Sequence, residues 1–360
     1  MKDTELTEVC EYLLQQADAW NQKDEAFEKW RADIHRLLTG MQDMIVNQQN
    51  AISSLQKDLV SLYKITRLQR ENLEYEWKDP RKGEQKYWYP NIVSGDVAIR
   101  EIVEKGKSLA RFGDGEISII AGIERAKFQK VDEKLADRLK EVLHSRQEDL
   151  LIGIADNYGS LDRYCYGAAQ GIRSYMTPET RKLHEQLLET DRIYYDAYVT
   201  RPYILYEDRF TDAPAKRFKK LQSIWEKRNI IMVEGAKTRF GVKNDFLSNV
   251  ESVRRILGPA ENSFDRYGEI LEAVLKNAKE KDLVLIAMGP CAGVLAYDLC
   301  KKGIQAVDIG HADLEYEWFL AGQGERVAVP YKYNNEFLGG ELVADIQDAD
   351  YEAQIIEIFA

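Results

Sequence analysis

The chain lacks any apolar run of the roughly 18 residues that span a bilayer. Its start, Met1-Lys2-Asp3-Thr4-Glu5-Leu6, also lacks the short apolar core of a signal peptide. Both absences predict a cytoplasmic protein, brought to the inner face of the membrane only through partners. Cysteine is scarce: Cys10, Cys165, Cys291 and Cys300 are scattered, without the paired Cys/His spacing of a zinc site. A basic excess is missing too. The formal net charge is -11, which disfavours nucleic-acid phosphates where no concentrated basic face is readable. The same charge opposes any anionic ligand unless a bound divalent cation reverses it locally.

Proline is absent from residues 1–78, and glycine appears there once, at Gly40. Apolar residues recur at helical spacing, and a heptad register places Leu38, Ile45, Ile52 and Leu59 at one seam position. Met41, Gln48, Leu55 and Leu62 fall at the other. This predicts a helical region that makes a homo-oligomer as a coiled coil. The alternative is a hairpin bent at Asn21-Gln22-Lys23-Asp24 and folded onto its own chain. Asp79-Pro80-Arg81-Lys82-Gly83 ends the helix and opens a linker over 79–89.

From about residue 90 short β-rich runs alternate with amphipathic helices. Strands are predicted at Ser108–Phe112, Leu150–Ala155, Tyr195–Thr200, Asn229–Val233, Ser252–Leu257, Leu283–Met288 and Ala306–Ile309. Runs such as Leu283–Met288 are apolar throughout, as strands covered on both faces are. The alternation indicates an α/β class, with a Rossmann-like open sheet over 90–345 and a C-terminal tail over 346–360. Ligands of such sheets bind beyond the carboxyl ends of the strands.

Several motifs stand at those ends. Arg111-Phe112-Gly113-Asp114-Gly115-Glu116 offers two carboxylates two positions apart, between glycines that permit close approach. Hard oxygen ligands of this kind, completed by diphosphate oxygens, suit Mn²⁺ or Mg²⁺. Gly289-Pro290 opens a helix whose N–H groups favour phosphate. Glu234-Gly235, Thr238-Arg239 and Asn244-Asp245 follow another strand; Arg239 could fork a diphosphate, and Asn244 or Asp245 could meet a sugar. Arg201, in Thr200-Arg201-Pro202-Tyr203, is a further candidate anion clamp. The segment Asp308-Ile309-Gly310-His311-Ala312-Asp313-Leu314-Glu315-Tyr316-Glu317-Trp318 supplies candidate bases, of which Glu315, Asp313 and His311 are ranked first.

Taken in order, these motifs resemble the GT-D fold glycosyltransferases. The resemblance covers about residues 90–340 and leaves the N-terminal helical region unexplained. It implies a GT-D type sheet and transfer of a sugar, glucose or a related hexose, from a UDP-sugar to a saccharide or glycoprotein acceptor. It implies a place in bacterial surface glycan synthesis, such as protein glycosylation. By the same resemblance Asp114 and Glu116 hold the metal. Arg111, Gly113, Arg201, Glu234, Thr238, Arg239, Asn244, Asp245, Gly289 and Pro290 are assigned to the nucleotide sugar. Two positions depart from the family pattern: Lys243 stands where glycine is expected, and Cys291 where threonine is. Competing readings are a metal-dependent phosphoesterase and a non-catalytic coiled-coil scaffold with a nucleotide domain.

Overall fold

The computed structural model describes residues 3–77, 88–123, 129–334, 336–337 and 339–359. They fall into two compact units, divided between Glu71 and Asn72. The first belongs to one continuous helix, α1 (Asp3–Trp77). Its uninterrupted length follows from the missing prolines. Asn21-Gln22-Lys23-Asp24 lies within this continuous helix, so the hairpin alternative is excluded. The seam residues from Leu38 to Leu62 are half or more exposed. Among the described residues no helix is long and apolar enough to cross a membrane. The expected helix end and linker at 79–87 lie outside the described residues.

The second unit is a nine-stranded, all-parallel sheet. Its strands are β1 (Asn91–Val93), β2 (Ser108–Phe112), β3 (Leu150–Ile154), β4 (Ile193–Asp196) and β5 (Asn229–Gly235). They continue with β6 (Ser252–Gly258), β7 (Leu283–Ala287), β8 (Ala306–Asp308) and β9 (Ile355–Ile358). The order across the sheet is β1-β4-β3-β2-β8-β7-β5-β6-β9. Every strand predicted from the sequence is present. The expected continuation of β4 through Thr200 is instead a 3₁₀ turn, Ala197–Thr200, capped by the Asp196 carboxylate. Residues assigned to a C-terminal tail form helix α11 (Ala349–Gln354) and the edge strand β9, which pairs with β6.

Helices cover both faces. One core lies beneath α2 (Gly95–Lys105), α5 (Tyr166–Tyr175), α7 (Ala213–Gln222) and α10 (Ala312–Leu320), with Ile102, Leu221, Trp225 and Trp318 inside it. The other lies beneath α3 (Asp114–Ile120), α4 (Glu133–Leu143), α8 (Tyr267–Asn277) and α9 (Ala292–Cys300), around Leu139, Val274, Leu295 and Leu299. Helix α6 (Pro178–Leu187) starts at a Thr177 cap with proline in its first turn, where the missing N–H costs nothing. The last turn of α1 belongs to this unit: the Asn72 amide bonds to Asp162 and Arg173, and the buried Tyr75 hydroxyl donates to the Asn157 carbonyl.

The chain leaves β2 toward one side of the sheet and reaches β8 from the other. Pairing between these two strands is confined to Leu109 and Val307. This is the topological switch point, where a crevice opens beyond the strand ends.

Candidate active site

A cavity of about 860 Å³ occupies that crevice. Its walls come from the ends of β2, β3, β4, β5, β7 and β8, together with α5 and the 324–337 segment. Of the residues singled out in the sequence, Arg111, Gly113, Asp114, Glu116, Arg201, Thr238, Gly289, Pro290, His311 and Asp313 line it. Glu234, Arg239, Asn244, Asp245 and Glu315 do not.

The metal candidates occupy the first turn of α3. Gly113 is the N-cap, and its N–H donates to Glu116 Oε2 at 2.7 Å. Asp114 is exposed toward the cavity. Burial raises the Glu116 carboxyl, and the amides of its own turn pull it back. The chemistry of this donor set fits a hard cation that takes its remaining ligands from a bound substrate. Among the described residues no group of three or more His, Cys, Asp or Glu could hold a metal alone.

Arg111 does not point freely into the crevice. Its Nε donates to the Asp308 carbonyl at 3.0 Å and its Nη2 to Asp308 Oδ1 at 2.7 Å. It thereby ties β2 to β8 where their ladder is thinnest. Gly310 makes this possible: with φ +51, a Cβ there would lie 2.1 Å from Arg111 Nη2. Cys291 is fully buried and its thiol contacts the Met288 carbonyl at 3.2 Å, so this departure from the family pattern removes no cavity-lining group. Lys243 is exposed at φ +62, a left-handed conformation that explains the expected glycine.

Four assigned binding residues instead knit the fold. Glu234 is fully buried, accepting from Arg255 Nη1 at 2.5 Å and from the Phe240 amide at 2.7 Å. Arg239 Nη1 donates to the carbonyls of Tyr331 at 2.9 Å and Ala344 at 2.7 Å. Asn244 Nδ2 donates to Asp313 Oδ1 at 2.8 Å and Glu317 Oε1 at 2.7 Å. Asp245 accepts from the Tyr316 hydroxyl at 2.7 Å. The first-ranked base, Glu315, is buried and accepts from the amides of Tyr203 at 3.2 Å and Ile204 at 2.8 Å. Its carboxylate orders the turn after β4 and is closed to an acceptor.

Residues that the sequence did not reveal complete the site. Glu336 meets Arg201, His311 and Arg326. Tyr198 donates to Asn157 Oδ1 at 2.8 Å, and both line the cavity. Asp308 carries a readable signal, since it stands at the end of an apolar strand. Glu336 has none, being a lone acid in an irregular segment.

The family described as glycosyltransferase GT-D fold matches residues 109–337. Glycosyltransferase GlyD of Streptococcus pneumoniae serotype 4 is 36% identical over 262 residues, which is 72% of this chain and 31% of GlyD. A probable glycosyl transferase, Gly, of Streptococcus gordonii is 34% identical, over 74% of this chain and 38% of Gly. The chain thus spans 31% and 38% of the length of these two curated relatives. A solved structure described as a new glycosyltransferase from Streptococcus sanguinis superposes with a TM-score of 0.70 at 32% identity, covering 76% of this chain and all of that one. With the sheet, the switch-point cavity and this likeness together, the chain belongs to the glycosyltransferase GT-D fold family.

Proposed function

We propose that this chain transfers a sugar, glucose or a related hexose, from a UDP-sugar to a saccharide or glycoprotein acceptor in bacterial surface glycan synthesis. The observation that carries the reading is the cavity at the switch point. Two carboxylates at one helix start, Asp114 and Glu116, share it with the Gly289-Pro290 turn before α9. Its volume of about 860 Å³ suits a donor and an acceptor together better than a simple phosphate ester. Asp114 and Glu116 would hold Mn²⁺ or Mg²⁺, which when bound offsets charge on the departing diphosphate. Backbone N–H groups at the start of α9 and the Thr238 hydroxyl suit the diphosphate oxygens.

Of the three candidate bases, His311 is favoured. Glu315 is closed off, and the oxygens of Asp313 are taken by Asn244 and Lys332. The same proposal keeps the protein in the cytoplasm and pairs α1 with a second copy through its heptad seam.

Release of UDP from a panel of UDP-sugars, with and without Mn²⁺, tests the reading. One donor should be turned over in a metal-dependent way. Asp114→Asn and Glu116→Gln should each lower the rate by at least about 100-fold, as when stabilisation of a departing charge is removed. Full activity in both variants, or turnover of simple phosphate esters without an acceptor, would overturn it.

A further inference from the structure

We infer that the side-chain amide of Asn157 reads a ring hydroxyl of the transferred hexose and so helps to set which sugar is accepted. The inference rests on the UDP-sugar reading above and goes beyond it by naming a residue that selects the sugar. Asn157 is only 3% exposed, yet it lines the cavity together with Gly113 and Asp114. It follows β3, where the chain leaves the sheet. Its backbone N–H donates to the Ala155 carbonyl at 2.8 Å, and its own carbonyl accepts from the Tyr75 hydroxyl. Its Oδ1 accepts from the Tyr198 hydroxyl at 2.8 Å. Among the described residues nothing accepts from its Nδ2, and that nitrogen is not sealed in the core. Buried polar side chains are as a rule paired. Here the chain satisfies one end of the amide and leaves the other to the cavity that the residue lines.

The amide is also held still. Tyr198, which fixes its oxygen, donates its backbone N–H to Asp196 Oδ1 at 2.9 Å. The Tyr198 ring lies edge-on to Tyr164, with centroids 5.7 Å apart. Tyr164 in turn donates from its hydroxyl to the Asp156 carbonyl at 2.7 Å. A polar group fixed by neighbours that are themselves fixed selects by position, because a hydroxyl carried one carbon further round the ring misses it.

The strand order indicates which part of the ligand the amide meets. Gly289 follows β7 and Thr238 follows β5, so the groups suited to the diphosphate stand on one side of β2. Asn157 and Tyr198 follow β3 and β4, on its other side. Asp114 and Glu116 begin α3 directly after β2, between the two groups. A UDP-sugar whose diphosphate runs from Gly289 to Asp114 carries its next group, the hexose, toward the end of β3. A neutral amide suits a hydroxyl oxygen there, whereas a further anion would face the Asp114 carboxylate.

The test compares the preferred UDP-hexose with a set of analogues that each lack one ring hydroxyl, using the full chain with Mn²⁺. In the unmodified protein one analogue should lose about tenfold in donor kcat/KM, the worth of a single hydrogen bond between neutral groups. Asn157→Ala should lose about as much with the complete sugar and nothing more with that analogue. Its affinity for UDP, which has no hexose, should stay within about twofold by calorimetry. A structural residue would instead weaken UDP and every analogue alike, and that outcome would overturn the inference. So would a variant that still discriminates as the unmodified protein does, or one altered only in the acceptor KM. Where Asn157→Ala folds poorly, Tyr198→Phe decides: it removes one hydroxyl, frees the amide to turn and should shrink the same discrimination about threefold, and unchanged discrimination would overturn the inference. Failure of the unmodified protein to bind any UDP-hexose would overturn the donor reading and the inference with it, whereas turnover with every analogue used equally would overturn the inference alone.

Discussion

Two sets of polar side chains flank α10, and residue type does not tell them apart. Arg201, His311 and Glu336 border the cavity. Glu234 with Arg255, and Asn244 with Asp313, Lys332 and Glu317, lie mostly behind it. The second set is closed: Lys332 is fully buried, with its ammonium against two carboxylates. The first set has a side toward the cavity. Asp313 belongs to both, lining the cavity while bound to Lys332. Both sets are paired within the chain, and what separates them is that the first lines the cavity. Each variant below asks whether a residue has been put in the right set.

The largest effect on stability is expected at Lys332. Lys332→Met removes the ammonium and leaves Asp313 and Glu317 with the Asn244 amide but without a counter-charge. Breaking a buried ion pair from one side costs about 3–5 kcal/mol, which urea unfolding would measure. A loss of activity with stability kept within about 1 kcal/mol would move Lys332 into the chemistry and blur the comparison.

Arg239 comes next. Arg239→Ala deletes hydrogen bonds to the carbonyls of Tyr331 and Ala344. A loss of about 1.5–3 kcal/mol is expected from charge-assisted bonds. UDP affinity of the folded protein should stay within about twofold. A calorimetric fall in UDP affinity of more than about tenfold, at unchanged stability, would return Arg239 to the binding set.

His184 shows a closed cluster that titrates. It is buried between the hydroxyls of Tyr158, 2.6 Å from Nδ1, and Tyr175, 2.9 Å from Nε2. Burial pushes its pKa down to about 4. The unfolded value is about 6.5, so the unfolded chain binds the proton first and stability is lost as pH falls between those values. Linkage gives about 2 kcal/mol between pH 7 and pH 5. Asp196, pushed up to about 7 by burial, works in the opposite sense over the same range. The measure is therefore the difference between the unmodified protein and His184→Gln. The variant should lack that share of the acid sensitivity, and identical pH slopes would remove His184 from the account.

These cases mark where the sequence was readable. Apolar runs such as Leu283–Ala287 announce buried parallel strands, because burial on both faces leaves no alternation to mistake. The acids after β2 and the Gly289-Pro290 turn could be placed at the cavity because they stand at strand ends. Glu234, Arg239 and Asn244 were misplaced for the same reason. They also follow a strand, but their partners, Arg255, Tyr331 and Asp313, are distant in sequence and met only in the fold. Glu336 left no pattern, and its partners Arg201 and His311 are distant in sequence. Ile355–Ile358 is too short and too near the chain's end to read as an edge strand.

The smallest effect should come from the largest cut. Removing residues 1–71 takes away the exposed helix and its heptad seam, so the catalytic constants and unfolding of the α/β unit should be unchanged. Association should be lost if the seam pairs with a second copy. Removing residues 1–78 also takes Asn72 and Tyr75, and these belong to the α/β unit. Tyr75 is buried, its hydroxyl bonds the Asn157 carbonyl, and the Arg181 guanidinium lies 4.4 Å from its ring centroid. Burying such a ring contributes roughly 1.5–3 kcal/mol, and Asn157 lines the cavity beside Tyr198. The longer cut should therefore lower both stability and transfer, while the shorter one lowers neither. Light scattering reports the association state of each, and thermal unfolding with UDP release reports the rest. Equal behaviour of the two truncated proteins would mean that the last turn of α1 does not support the residues of the wall. Loss of activity in the shorter cut would mean that the seam itself supports the site.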